Sequence, residues 1–342
     1  MVLNQRTATL QEGYSERPVN LEDAQLITDL CNAWGQHFVG RDTENLQDIE
    51  SMCDDPKWQP ETATKMIFDP SGLAVAYVEI WDTHPVPVLP HMWLCIHPQA
   101  DTDAFSAYLM DWAINRGRQA IERVPENACV VFESSADARD TRYHQIFKAA
   151  GMQAKDQSWL KMSVQMSEPP PAPTWPEGIR LVRGDDLPNH RSIFMAVRES
   201  FQDHRGYIEG DVEEGWEDWE RRLKRMKEQG KFDPTLWLLA MEGDTIASLV
   251  LGKMAASDNP DQGYINTVGT RREYRGRGLA LALMQQALRI YWERGRQNVA
   301  LHVDGSSITG ATRLYEKVGM SEEERYDTYV LELRPGEDLS TQ

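Results

Sequence analysis

The stretch Thr267-Val-Gly-Thr-Arg-Arg-Glu-Tyr-Arg-Gly-Arg-Gly-Leu-Ala280 reads as the end of a strand, a turn rich in arginine and glycine, and the opening of a helix. The first amides of a helix have no partner inside it, and the helix dipole adds partial positive charge there. Glycine lets the main chain come close to a ligand. An anion site of the pyrophosphate type is therefore predicted at Arg275, Gly276, Arg277, Gly278, Leu279 and Ala280. Arg271, Arg272, Arg275 and Arg277 crowd this turn in a chain of net charge −18, and the local reversal of sign favours phosphate. The plainer reading is a solvated helix start with a chance arginine cluster. A dinucleotide fingerprint is a third, but Leu281 stands where its third glycine belongs and no acidic residue is suitably placed on the next strand.

Working outward, the helix that opens here runs over residues 278–294. A strand at 299–303, a helix at 309–318 stopped by Gly319, and a strand at 328–333 follow. Upstream lie a strand at 179–182, helices at 189–201 and 213–226, and a hairpin of 236–241 with 246–254 turning at Glu242-Gly243-Asp244-Thr245. The strand entering the turn is 264–270.

The segment 168–177 carries closely spaced prolines, which forbid a helix or central strand and favour a semi-rigid linker. Before it the same order recurs: helix 21–35, hairpin 65–68 with 73–81, strand 91–96, helix 105–123, strand 129–133 and helix 139–150, with Gly151-Met152 echoing Gly319-Met320. The expectation is a duplication of an α/β plan with a mixed sheet. The expected domains are 1–167, a linker at 168–177, and 178–342.

The turn fits the Arg/Gln-x-x-Gly-x-Gly/Ala motif of the GNAT N-acetyltransferase family, met by Arg275, Gly278 and Ala280. Gly310-Ala-Thr-Arg-Leu-Tyr-Glu-Lys-Val-Gly-Met320 resembles that family's second signature, a Gly-Ala-x-x-Leu-Tyr-Glu helix. The resemblance covers roughly residues 179–333, and the tandem layout is similar to that of two-domain members such as mycothiol synthase. It implies two tandem GNAT-like domains, each a mostly antiparallel central sheet flanked by helices. It also implies that acetyl-CoA is the acyl donor, with Val268, Gly269 and Thr270 holding the pantetheine arm and the amides of 275–280 the pyrophosphate. Tyr315 matches the tyrosine that protonates the leaving thiolate. The family usually has Asn at the start of that helix, where Ser307 stands here as a candidate cofactor contact. Many relatives carry a Glu base on the strand at 264–270. This one has none, which leaves His302, Asp304, Asp203 and His204 as candidates.

In the first half, the counterpart of the cradle is Ile96-His-Pro-Gln-Ala-Asp-Thr-Asp-Ala-Phe105, with no glycine and two carboxylates where a pyrophosphate would sit. Phe147 replaces the tyrosine. The first domain is expected to be non-catalytic. Acid-rich residues Asp211, Glu213, Glu214, Glu217 and Asp218 are a weak sign of a cationic acceptor, with Trp216 and Trp219 able to line its cleft.

The acidic balance argues against duplex nucleic acid as a partner. The N-terminal residues hold no apolar signal core and no long apolar run exists, so neither export nor a membrane span is expected. Cys31, Cys53, Cys95 and Cys129 have no paired spacing, so no metal and no disulfide framework is expected, only thiols in a reducing cytoplasm. The expected function is acetyl transfer to a primary amine, of a small molecule, by direct attack in a ternary complex, in a monomer or homodimer. The alternatives are a non-catalytic acyl-CoA sensor or scaffold and a protein N-acetyltransferase.

Overall fold

The computed structural model describes residues 9–204, 207, 209–305 and 310–341. The chain forms two compact units. One runs up to Asp156 and returns for Tyr326–Ser340, and the other spans Gln157–Arg325. The proline-rich segment 168–177 lies inside the second span, so the units do not part there. Each unit is completed by a strand from the far half of the sequence, because ladder hydrogen bonds, and not linker composition, decide which unit a strand belongs to.

In the first unit the elements are β1 (Ser15–Arg17), α1 (Ala24–Phe38), α2 (Leu46–Cys53), α3 (Pro60–Ala63), β2 (Thr64–Phe68), β3 (Ala74–Trp81), β4 (His91–Ile96), α4 (Asp103–Arg118), β5 (Val130–Asp137) and α5 (Thr141–Ala149). Strands β1 to β5 lie side by side in that order, and the outer neighbour of β5 is β12 (Ser321–Arg334), paired from Tyr326 onward. All pairs are antiparallel except β4 with β5. One face carries α1 and α2 over Met66, Tyr77 and Cys95.

The second unit repeats the order. Its elements are β6 (Gln153–Gln165), β7 (Ile179–Arg183), α6 (Arg191–Ser200), α7 (Val212–Glu228), β8 (Trp237–Glu242), β9 (Thr245–Lys253), β10 (Gly263–Thr270), α8 (Leu279–Glu293), β11 (Asn298–Asp304) and α9 (Ala311–Lys317). Its strands run β7-β8-β9-β10-β11-β6. Only β10 with β11 is parallel. Alternation along the strands feeds two cores. Leu238, Val250, Ile265, Leu301 and Val303 pack with Leu283, Ala287 and Tyr291 of α8 and with Tyr315 of α9. Leu239, Leu249 and Leu251 pack with Ile193 and Ala196 of α6 and Leu223 of α7 on the other face.

Two long strands differ most from expectation. The whole of β6 was not legible, because it is mostly polar and keeps Ser158 and Lys161 buried, which breaks the apolar alternation that marks a strand. The last strand is more than twice as long as 328–333 and leaves its sequence neighbours for β5. Among the described residues no helix is long and apolar enough to cross a membrane.

Candidate active site

Strand β10 pairs with β9 along its length, but with β11 only at Gly263↔Val299 and Tyr264↔Ala300. Beyond that point the two parallel strands diverge, and the edge of β10 that carries Val268, Gly269 and Thr270 faces the gap. A shift in the β9 ladder between Ile265 and Thr267 marks a bulge at the mouth of the gap. An added Cβ at Gly269 would stand 3.0 Å from Ser200 Cβ of α6, tighter than an ordinary contact, so α6 packs closely on this strand.

The turn after β10 leads to a bare helix start. Gly276 and Gly278 take left-handed φ of 76° and 80°, which ordinary residues adopt only with strain. Gly278 is the N-cap of α8 and offers no side-chain cap, so the first amides are left for an external acceptor. The arginines do something the sequence did not reveal. Arg275 reaches back to the carbonyls of Thr270 (3.1 Å) and Ser200 (3.0 Å) and forks onto Asp203. Arg277 pairs with Glu242 at 2.7 Å and Arg271 with Glu199 at 2.6 Å. The predicted cationic cluster is thus largely neutralised by carboxylates from distant parts of the chain. That leaves the main-chain amides as the groups able to attract an anion, and the arginine side chains brace the turn. The Arg275 fork holds Asp203 at a pKa of about 2, too acidic to take a proton near neutrality.

Tyr315 is 6% exposed and stands on α9, whose N-cap Gly310 and end Gly319 both have positive φ. Among the described residues its hydroxyl has no hydrogen-bond partner, and burial pushes its pKa up to about 12. It therefore holds its proton until a stronger base appears. Tyr315 packs on the face of Leu301 and Val303, so His302 projects to the opposite face, beside the same gap. There Nδ1 of His302 lies 2.8 Å from the hydroxyl of Tyr264. Desolvation, then the Lys161 ammonium, hold the His302 imidazole below its usual pKa. His204, against Phe201, is also lowered by desolvation. Asp304 accepts from Gln157 at 3.1 Å. Ser307, the expected helix-start contact, lies outside the described residues.

The acid-rich run on α7 is a solvated helix face. Asp211 caps the helix, Glu213 pairs with Arg191, and Trp219 packs against Phe194 and Trp237.

In the first unit the equivalent features are filled by its own side chains. Strands β4 and β5 also meet at one pair only, His91↔Glu133. Here Tyr143 of α5 places its hydroxyl 3.0 Å from the amide of Ile96 and 3.3 Å from the carbonyl of Leu94. Thr102 caps α4 by accepting from the Phe105 amide. Arg142 binds Asp101 at 2.6 Å and Asp103 at 2.7 Å across the turn. Phe147 is fully buried against Tyr143 and Tyr329. Asp101, Asp103 and Phe147 were legible in the sequence. Tyr143 and Arg142 were not, because neither belongs to a motif.

Residues 189–320 match the family model described as the Acetyltransferase (GNAT) family. A mycothiol acetyltransferase of Thermobispora bispora is 31% identical over 165 residues, which is 47% of this chain and 52% of that protein. The chain thus spans about half the length of the curated relatives it matches. A GCN5-related N-acetyltransferase from Sphaerobacter thermophilus, a crystal structure, has a TM-score of 0.78 at 29% identity, covering 98% of this chain and 100% of that one. A tandem GNAT protein from the clavulanic acid biosynthesis pathway has a TM-score of 0.68 at 13% identity, covering 95% and 100%, and shares the fold.

Proposed function

We propose, from the premise that residues 189–320 belong to the GNAT family within a tandem GNAT fold, that the chain transfers an acetyl group from acetyl-CoA to the primary amine of a small molecule. One arrangement carries this reading: an uncapped helix start and a splayed strand edge lead to a buried tyrosine whose hydroxyl has no partner among the described residues. The amides of Arg275–Ala280 accept the pyrophosphate oxygens, and the free edge of Val268–Thr270 pairs with the amides of the pantetheine arm. The thioester then lies at the bulge, between Tyr315 and His302.

The acceptor amine attacks the thioester carbonyl carbon directly. A C–N bond forms, the C–S bond breaks, and the electron pair leaves on sulfur. Tyr315 gives its proton to that sulfur, and the amine's surplus proton goes to His302. With Nδ1–H of His302 donating to the Tyr264 oxygen, Nε2 keeps a lone pair for that proton. The phenol of Tyr264, its pKa pushed up to about 12 by burial, stays neutral beside it. The related mycothiol acetyltransferases support a small acceptor over a protein. The first unit, with its cradle turn and strand gap self-filled, takes no part in the chemistry.

The test is release of CoA thiol from acetyl-CoA with a panel of amines. Turnover that falls about a hundredfold in Tyr315→Phe supports the reading. Acetyl-CoA binding with no thiol release from any amine, and no effect of Tyr315→Phe, would make the chain a sensor.

A further inference from the structure

Resting on that reading, we propose that Lys161, a residue of the first half of the sequence, is a positioning residue for the reaction: clamped opposite His302, its ammonium keeps that ring free of a proton and ready to take one from the acceptor. Strand β6 sets Lys161 directly across from His302 in the antiparallel ladder, so the two side chains share a face. Their neighbours Leu160, Met162, Leu301 and Val303 turn to the α8 core. Lys161 is 1% exposed, a rare state for a lysine. It is held in place by Asp258 at 2.6 Å and Glu323 at 3.3 Å. Glu323 is itself held by Gln262, which donates to it at 3.1 Å and to Asn298 at 2.8 Å. A buried cation with this much second support is fixed in place.

The charged groups around His302 come from every neighbouring strand. Besides Lys161 on β6, they are Asp258 between β9 and β10, Glu323 and Glu324 on the first residues of β12, and Asp304 on β11. Tyr264 lies on β10, with Lys253 of β9 over its ring at 5.0 Å. Lys161 opposes a second positive charge on the imidazole. Asp258, Glu323 and Glu324 favour it but stand weaker than the cation and the desolvation together, since the ring's pKa is lowered. Loss of the ammonium therefore makes His302 hold its proton to higher pH. Loss of the Asp258 carboxylate does the reverse.

The experiment is a 13C-histidine NMR titration of the full chain, with His302 assigned by His302→Gln, run on Lys161→Met, Lys161→Arg and Asp258→Asn. It is read beside the pH profile of kcat/KM for acetyl transfer. The expected result for Lys161→Met is a ring that protonates about tenfold more readily, with the acid limb of the rate profile moving up by the same amount. Lys161→Arg restores both, and Asp258→Asn, which keeps the cation, moves both down. A ring titration that is unchanged in Lys161→Met and Asp258→Asn overturns the proposal. So does a titration that moves while the rate profile stays still. Should Lys161→Met fail to fold, Lys161→Gln, which removes the charge and keeps a polar side chain, decides by the same upward shift. If no amine is acetylated at all, the reading of the function fails, and the ring titration still reports the coupling by itself.

Discussion

Tyr315 and Phe147 occupy matching places four residues before a glycine, and one hydroxyl separates them. On the proposed function, the expected consequence for Tyr315→Phe is a loss confined to kcat, with acetyl-CoA affinity by calorimetry unchanged, because the ring still fills its slot and only the hydroxyl goes. Asp203 illustrates the opposite kind of residue. Its carboxyl is lowered from 3.8 to about 2 by Arg275, so it favours the folded state above about pH 4, and that contribution is lost as pH falls through about 2. Asp203→Asn is expected to lower Tm at pH 7 by a few degrees and hardly at all near pH 2, by thermal melts at both. Motif residues such as Gly278 and Tyr315 were legible because local geometry and chemistry fix their type. The role of Arg275 was not, because its partners Ser200 and Asp203 are more than seventy residues away in sequence.

Among the elements, the pair α4 and α8 separates a filled cradle from an open one. Both follow a strand that parts from its parallel neighbour. Thr102 closes the first helix start, whereas Gly278 leaves the second bare. Gly278→Ala places a side chain on a φ of 80°, in open space, so the penalty is backbone strain of about 1 kcal/mol and the turn is expected to relax away from its open form. A rise of about tenfold in the dissociation constant for CoA, with little change in Tm, is the outcome to look for. Helices and hairpins with clean periodicity were legible to within a few residues. Strand β6 was hidden by its buried lysine and serine, and α2 by its shortness. Of the two, Lys161 is the one that brings charge to His302.

At the scale of the units, one acidic side chain ties the first unit's stability to pH. Glu79 is 1% exposed, accepts from Trp58 at 2.5 Å and from Tyr77 at 2.6 Å, and is pushed by burial from 4.5 up to about 7. The folded carboxyl thus keeps its proton where the unfolded chain has lost it. Its contribution is full below about pH 4.5, declines as pH rises through about 7, and stays lost above. Denaturant melts of Glu79→Gln are expected to lose the decline between pH 5 and 7 that the parent chain displays. Calorimetric titration with CoA is expected to saturate at one equivalent per chain, since among the described residues the first unit's helix start is capped by Thr102 and the second unit's is bare. A duplication was legible from the repeated order of elements. The crossing of the last strands was not, because nothing in a strand's own residues names its neighbour.

That crossing bears on what the gene can lose. A shortened gene encoding only the later half would supply β11 without β6, leaving an unpaired strand edge and no Lys161. One encoding only the earlier half would lack the strand that covers β5. On the proposed function, recombination at the proline-rich segment therefore releases no independent enzyme, and selection on the half proposed to be catalytic preserves the other. The two pieces, produced separately and cut within 168–177, are expected to be inert apart and to regain acetyl transfer when co-expressed, each donating its strand to the other.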